Sequence, residues 1–259
     1  MNVIILAAGA GTRLRPHTSK LPKCMVELAG RPILHRQLEV LCRNGMESIT
    51  LVAGYRADAI EAGDAAVMVN PFHEECNMVA SLFHAASAMK NEQDLLVSYG
   101  DIVYEDSVLR ALLECPGEIA VAADIDWRTL WQARMDNPLE DAESFRMSEG
   151  NRIVELGEKL GCQSDAQAQF MGLIRVRADR VAEFKEAYRA MDRHASYRGR
   201  PFRHMYMTDF LQHLIDAGWD LRAALVRNGW LEVDTVEDLN RYHALAREKR
   251  LDALIQLDH

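Results

Sequence analysis

Gly9, Gly11, Thr12, Arg13 and Lys23 crowd into one stretch near the start of the chain, in Leu6-Ala7-Ala8-Gly9-Ala10-Gly11-Thr12-Arg13-Leu14-Arg15-Pro16 and Leu21-Pro22-Lys23. Small residues let a backbone approach a ligand closely and turn sharply. Clustered cations beside such a turn make a cradle for a polyphosphate. Two carboxylates farther on complement them. Asp101 follows an apolar run in Ser98-Tyr99-Gly100-Asp101, and Asp234 follows another in Leu231-Glu232-Val233-Asp234-Thr235. When two anions must meet, charge neutralisation is the main task, and Mg²⁺ held by carboxylates is the usual solution. By spacing alone each aspartate fits a local role equally well, Asp234 as a helix N-cap and Asp101 as a turn residue.

The elements that must position these groups can be read along the chain. Asn2 to Leu6 is an uncharged, β-branched run, the pattern of a strand buried on both faces of a parallel sheet. The helical stripe Ile33, Leu34, Gln37, Leu38 and Leu41 stops at Asn44-Gly45. Ser48 to Ala53 and Ala66 to Val69 read as strands, Asn77 to Met89 as a helix and Asp94 to Tyr99 as a buried strand. A helix over Asp106 to Leu113 and a strand over Ile119 to Ala123 continue the alternation. This rhythm implies an α/β fold with a doubly wound parallel sheet and ligands at the carboxyl ends of its strands. From about Asp126 the rhythm breaks. Trp127 to Met135 is amphipathic and aromatic, and Ser144 to Met147, Arg152 to Leu156 and Ala168 to Val176 read as strands of a smaller, mixed sheet. Helices over Ala178 to Met191 and Thr208 to Ala217 follow, then a short strand over Trp230 to Val233 and a closing helix carrying Val236, Leu239, Tyr242 and Leu245.

Composition narrows the setting. The 259 residues can bury one large core. No apolar run approaches the ~20 residues that span a bilayer, and the N-terminus lacks the basic region of a signal peptide. Cys24, Cys42, Cys76, Cys115 and Cys162 lie far apart and form no C-x-x-C pair, which reads as reduced thiols in a cytoplasmic protein. A net charge of −9 argues against nucleic-acid partners. It also requires local cations or a metal to hold any anionic substrate.

Among phosphate-binding loops, the dinucleotide fingerprint requires a third glycine where Leu14 stands, and the Walker run G-x-x-x-x-G-K-[ST] is absent. The stretch instead matches G-x-G-[TS]-R-L-x-P followed by P-K, and so resembles nucleotidyltransferases that activate sugar phosphates and small phosphorylated alcohols. Further ordered matches to sugar-nucleotide pyrophosphorylases and phosphocholine cytidylyltransferases are Gly100-Asp101, Glu158-Lys159, Gly172, Tyr206-Met207-Thr208-Asp209 and Val233-Asp234-Thr235. The proline that often follows the acidic-lysine pair is Leu160 here.

The resemblance implies a Rossmann-like, mostly parallel sheet of the nucleotide-diphospho-sugar transferase type with a small mixed acceptor-binding lobe. It makes the chain a single domain, with 1–125 as the nucleotide-binding half, 126–234 as the acceptor half and 235–259 as a C-terminal helical segment. It further implies that Gly9, Gly11, Thr12 and Arg13 take the β- and γ-phosphates and that Lys23 takes the α-phosphate. Asp101 and Asp234 would hold Mg²⁺, with Mn²⁺ as a substitute. Leu6, Ala7, Ala8, Gly54, Tyr55, Asn77, Ser81 and Gly100 would complete the nucleotide site. Trp127, Trp131, Glu158, Lys159, Gly172, Tyr206 and Asp209 would form the acceptor site. A homodimer is compatible with it; nucleic-acid and membrane partners are not expected.

Asn77-Met78-Val79-Ala80-Ser81 replaces the G-T-[AG] segment usual in sugar pyrophosphorylases and points to CTP. The segments Asn137 to Glu143, Val154 to Lys159 and Ala168 to Gly172 resemble the CTP:phosphoglutamine cytidylyltransferases of capsule phosphoramidate synthesis. Phosphorylated glutamine is therefore the first expected acceptor. Phosphocholine or an aminoalkylphosphonate comes second and a sugar 1-phosphate third; Trp127, Trp131, Phe170, Tyr206 and Trp230 would suit phosphocholine as an aromatic cage, although each taken singly reads more readily as core. A catalytically dead nucleotide sensor is the alternative class, disfavoured by the presence of Lys23, Asp101 and Asp234 together.

Overall fold

β1 (Asn2–Ala7) forms where the β-branched run requires it and leads into the glycine loop. A short hairpin, β2 (Glu27–Leu28) and β3 (Arg31–Pro32), precedes helix α1 (Ile33–Arg43), which buries Ile33, Leu34, Gln37 and Leu41 and ends before Gly45. Then come β4 (Ser48–Ala53), β5 (Ala66–Val69), α2 (Met78–His84), β6 (Leu95–Tyr99), β7 (Ile102–Tyr104), α3 (Asp106–Glu114) and β8 (Ile119–Asp124). Helix α4 (Trp127–Arg134), β9 (Glu143–Met147), β10 (Ile153–Lys159), β11 (Gln169–Val176) and α5 (Val181–Ala190) open the second half. It closes with β12 (Ser196–Tyr197), β13 (Arg200–Pro201), α6 (Met207–Asp216), β14 (Leu221–Val226), β15 (Trp230–Glu232) and α7 (Val236–Arg247). This computed structural model describes residues 1–162 and 166–257. Residues 163–165, in the expected acceptor half, and 258–259, ending the expected C-terminal segment, lie outside the described residues.

Seven strands make the main sheet in the order β14-β8-β11-β6-β1-β4-β5, parallel except for β11, which runs antiparallel to both neighbours. The chain leaves β1 toward β4 on one side and returns to β6 on the other. A crevice therefore opens at the carboxyl ends of β1 and β6, the place where open α/β sheets bind ligands. Apolar clusters cover both faces, with Leu51, Leu96, Trp127 and Tyr242 on one side and Ile4, Val97, Phe184 and Phe210 on the other.

One expectation is corrected, and one strand is added. The run from Ala168 to Val176 does not join a smaller sheet; as β11 it lies between β6 and β8 in the main one. Seven of its eight residues are buried, as in a strand covered on both faces, but the partners that take its hydrogen bonds are distant in sequence. Among the described residues the smaller sheet is the antiparallel pair β9 and β10. Strand β14 was not anticipated, because Leu-Arg-Ala-Ala-Leu-Val lacks the β-branched signature and its pairing with β8 is long-range.

Gly172 lies inside β11 at φ +77°, where the pairing with β8 shifts register, and an added Cβ would stand 2.6 Å from the Tyr99 Cγ. The backbone conformation and the ring together admit glycine alone. Gly172→Ala is expected to cost about 2–4 kcal/mol, combining left-handed strain with overpacking. Urea denaturation checks this, and an unchanged midpoint would contradict it.

Candidate active site

Gly11 adopts the left-handed conformation (φ 56°, ψ 43°) and opens a single 3₁₀ turn, Thr12–Leu14, whose Leu14 is fully buried and anchors the loop. Thr18 Oγ1 donates to the Gly11 carbonyl at 2.8 Å, and the Tyr55 hydroxyl donates to the Thr18 carbonyl at 3.0 Å. Tyr55 thus braces the loop from outside. Gly54 permits close packing, since a Cβ there would lie 2.6 Å from His73 and 2.7 Å from the Ala8 oxygen. The Lys23 stem runs beneath Gly11, and its ammonium ends between two carboxylates, 2.7 Å from Asp101 Oδ2 and 2.6 Å from Asp234 Oδ1. Arg13 pairs with the other oxygen of Asp234.

Each charge in this trio is set by its neighbours. Burial works against the Lys23 ammonium, yet Asp101, Asp234 and Glu232 outweigh it and hold its pKa above the ordinary lysine value. Burial likewise opposes the Asp234 carboxylate, but Lys23 and Arg13 hold its pKa below the usual range. Glu232, which the sequence reading did not single out, is pushed up to about 7 by burial, with Asp101 and Asp234 adding to the rise against the pull of Arg134. The buried Arg134 guanidinium lies 2.7 Å from Glu232 and donates to Asp238 at 3.3 Å. Asp238 in turn accepts the backbone N–H groups of Asp234 and Thr235 at 3.0 and 2.9 Å, closing a capping box at the start of α7. This fixes the backbone that carries Asp234.

Two cavities meet at these charges. One, of about 150 Å³, is lined by Leu6, Ala7, Ala8, Gly9, Lys23, Asn77, Ser81, Gly100 and Asp101, all expected site residues. Cys24, His73, Cys76, Met78 and Tyr99 line it as well, and none of these five was expected there. Burial pushes the Cys24 thiol up to about 12, so it is not a nucleophile at neutral pH. The other cavity, of about 380 Å³, lies beyond Asp234 and shares Met78 and Tyr99 with the first. Of the residues expected to meet an acceptor, Trp131, Gly172 and Tyr206 line it.

The remaining expected acceptor residues fall elsewhere. Trp127 is fully buried in the core and lines neither cavity. Asp209 is buried, its carboxylate taken up by the Tyr206 N–H at 2.8 Å and by Arg200 at 3.1 Å. Glu158 and Lys159 are exposed at the end of β10, where Glu158 pairs with Arg198 at 3.0 Å. The carboxylates that do line the larger cavity are Asp141, Glu143, Glu232 and Asp234, beside the rings of Tyr99, Trp131, Phe170, Tyr206 and Trp230. The sequence signal for Asp141 and Glu143 was there, but a run of acids normally marks a solvated face.

The residues present suit a small hard cation. Asp101 Oδ1 is buried without a hydrogen-bond partner among the described residues, leaving an acceptor available. No cluster of three or more His, Cys, Asp or Glu with metal-holding geometry occurs among the described residues. A cation here would rest on two protein carboxylates and take other oxygens from phosphate and water, as Mg²⁺ does. Among the described residues no helix is long and apolar enough to cross a membrane.

Known proteins resemble this chain in sequence and fold. The chain is 37% identical over 248 residues to the CTP:phosphoglutamine cytidylyltransferase of Campylobacter jejuni, covering 92% of this chain and 98% of that one. It is 33% identical over 162 residues to the CMP-5'-(3-aminopropyl)phosphonate synthase of Streptomyces rubellomurinus, covering 58% of this chain and 26% of that protein. The inositol-1-phosphate CTP transferase from T. maritima has the same fold, with a TM-score of 0.73 at 22% identity over 98% of this chain and 97% of that one. Residues 3–159, which include the glycine loop, Lys23 and Asp101, match the MobA-like NTP transferase domain. Because that match takes in more than half of the chain, the protein belongs to the MobA-like NTP transferase family and is a nucleotidyltransferase.

Proposed function

We propose that the protein transfers CMP from CTP to the phosphate of a small, amine-bearing acceptor, with phosphorylated glutamine the best candidate, and releases pyrophosphate. The observation that carries the acceptor class is the wall of the larger cavity, where the described residues set four carboxylates and five aromatic rings against one cation, Arg13. Such a wall attracts an ammonium, the group that phosphorylated glutamine carries on its α-carbon. The named activities of the two curated relatives, both on cytidine nucleotides, support CTP. The CDP-linked product would serve modification of a capsule or surface polysaccharide.

In this reading the smaller cavity takes the base, close to Ala7 and Ala8. The backbone from Gly9 to Thr12 and the Arg13 guanidinium hold the β- and γ-phosphates, which depart as pyrophosphate. Lys23 neutralises charge that develops at the α-phosphate as the acceptor oxygen attacks in line. Asp101 and Asp234 would hold Mg²⁺, which when bound neutralises phosphate oxygens of both partners. The protein supplies alignment and charge, and no covalent enzyme intermediate is needed because an oriented phosphate is already a nucleophile.

Pyrophosphate release measured with each nucleoside triphosphate and a panel of phosphorylated amines tests the reading. CTP is expected to exceed UTP, dTTP and ATP by about tenfold or more in kcat/KM, a margin typical of hydrogen-bonded base selection. Turnover with UTP and glucose 1-phosphate alone would sink it. The S. rubellomurinus relative keeps an aminoalkylphosphonate as the second acceptor to try.

A further inference from the structure

Of the four carboxylates that line the acceptor-side cavity, three have cationic partners. Asp234 is held by Lys23 and Arg13, Glu232 by Arg134 at 2.7 Å, and Asp141 faces Arg134 at 3.5 Å. Glu143 differs. Its carboxylate makes no hydrogen bond or ion pair among the described residues. Its backbone, by contrast, is held on both sides by the Gln169 amide, which accepts the Glu143 N–H at 3.0 Å and donates to its carbonyl. A half-buried carboxylate without a partner is costly unless a ligand completes it. The cavity around it is walled by Tyr99, Phe170 and Tyr206, rings that favour a cation.

We propose that Glu143 is the specificity-determining residue of the acceptor site, receiving a protonated amine of the acceptor and rejecting acceptors that lack one. The inference rests on the reading of this cavity as the acceptor site. Asp209 is already paired with Arg200, which leans over the Tyr206 ring at 4.0 Å, so the Asp209 carboxylate does not compete for the incoming amine.

The charged surroundings add a pH signature. Burial, with Asp209 on α6 and Asp141 on the preceding turn, pushes the Glu143 carboxyl up to about 7, against the pull of Arg200 and Arg198 in the β12–β13 hairpin. Lys159 is its partner across β10, and Tyr99 stands on β6. The ionised form, which binds an amine, is lost as pH falls through that value. The acceptor KM should therefore rise on acidification.

The experiment compares wild type, Glu143→Gln and Glu143→Asp with CTP, Mg²⁺ and two probes, phosphorylated glutamine and its analogue lacking the α-amino group. Wild type should favour the amine-bearing probe. Glu143→Gln should lower its kcat/KM by about 10- to 100-fold, chiefly through KM, as loss of a charge partner does, and leave the other probe within about twofold. Glu143→Asp should fall between, and the rise in KM at low pH should vanish in Glu143→Gln. Equal losses with both probes, or an unchanged preference, would overturn the assignment. Should wild type turn over neither probe, the proposed reaction fails, and calorimetry then decides this inference separately. Tighter binding of the amine-bearing probe to wild type than to Glu143→Gln upholds it, and equal binding overturns it.

Discussion

Lys23→Met is expected to lower kcat for pyrophosphate release by about 10²–10³-fold, the usual loss when one preorganised charge-stabilising donor is removed. It should also destabilise the metal-free protein by about 2–4 kcal/mol, because deleting one partner of a largely buried ion pair leaves the others uncompensated. Asp101 and Asp234 would then face one another with no ammonium between them. Methionine preserves the stem that packs beneath Gly11, so the loop itself should persist. The two effects separate on adding Mg²⁺. A divalent cation can take over the neutralisation, so the melting temperature of the variant should rise with Mg²⁺ more than that of wild type, whereas the rate stays low. Because the pKa of Lys23 is raised on folding, its stabilising contribution is present below the ordinary lysine pKa and is lost only as pH rises through the higher folded value. The Lys23→Met deficit should thus be constant across neutral pH. A variant within tenfold of wild type would remove Lys23 from the chemistry.

The parts legible in the sequence are those set by local chemistry. A glycine loop behind a buried strand needs no partner to be recognised, and strand-end aspartates announce themselves by the apolar runs before them. Lys23, Asp101 and Asp234 accordingly converge, although they are far apart in the chain. What local pattern cannot carry is pairing over distance. Strand β11 reads as one of several strands in the second half, and only its antiparallel insertion between β6 and β8 shows that both halves share one sheet. The same limit explains the larger cavity. Trp127 and Trp131 share one face of a single helix and their rings meet edge to face, yet one turn of rise separates them, and only Trp131 reaches the cavity wall. Glu143 sits in a run of acids that looks solvated, and Glu232 looks like one more polar residue of a short strand. Tertiary packing, not composition, turns both toward a cavity and raises their pKa values.

Asp234→Asn and Asp101→Asn should both lower kcat, each by about 10³-fold, if the two carboxylates share one cation, since either loss removes charge that phosphate-bound metal requires. Their effects on stability should differ. Asp234 accepts from Lys23 and pairs with Arg13, so an amide there places NH₂ hydrogens against one of two cations. Arg13 is mostly exposed and solvent screens its share, which leaves a cost of about 1–2 kcal/mol, mainly at Lys23. The backbone N–H of Asp234 still reaches Asp238, so helix α7 keeps its cap and the variant should fold. Asp101 uses only Oδ2 for Lys23, and its other oxygen has no partner among the described residues. An asparagine there can keep the Lys23 contact, so stability should change by less than about 1 kcal/mol. Linkage separates the two further. The lowered pKa of Asp234 contributes stability that is present above the ordinary carboxylate range and lost as pH falls through the lower folded value. Acid titration of stability should therefore flatten in Asp234→Asn. For both variants the Mg²⁺ concentration giving half-maximal rate should rise. A variant with a near-native rate and an unchanged Mg²⁺ requirement would show that its carboxylate serves Lys23 alone, and the lysine, not the metal, would then be the centre around which the site is built.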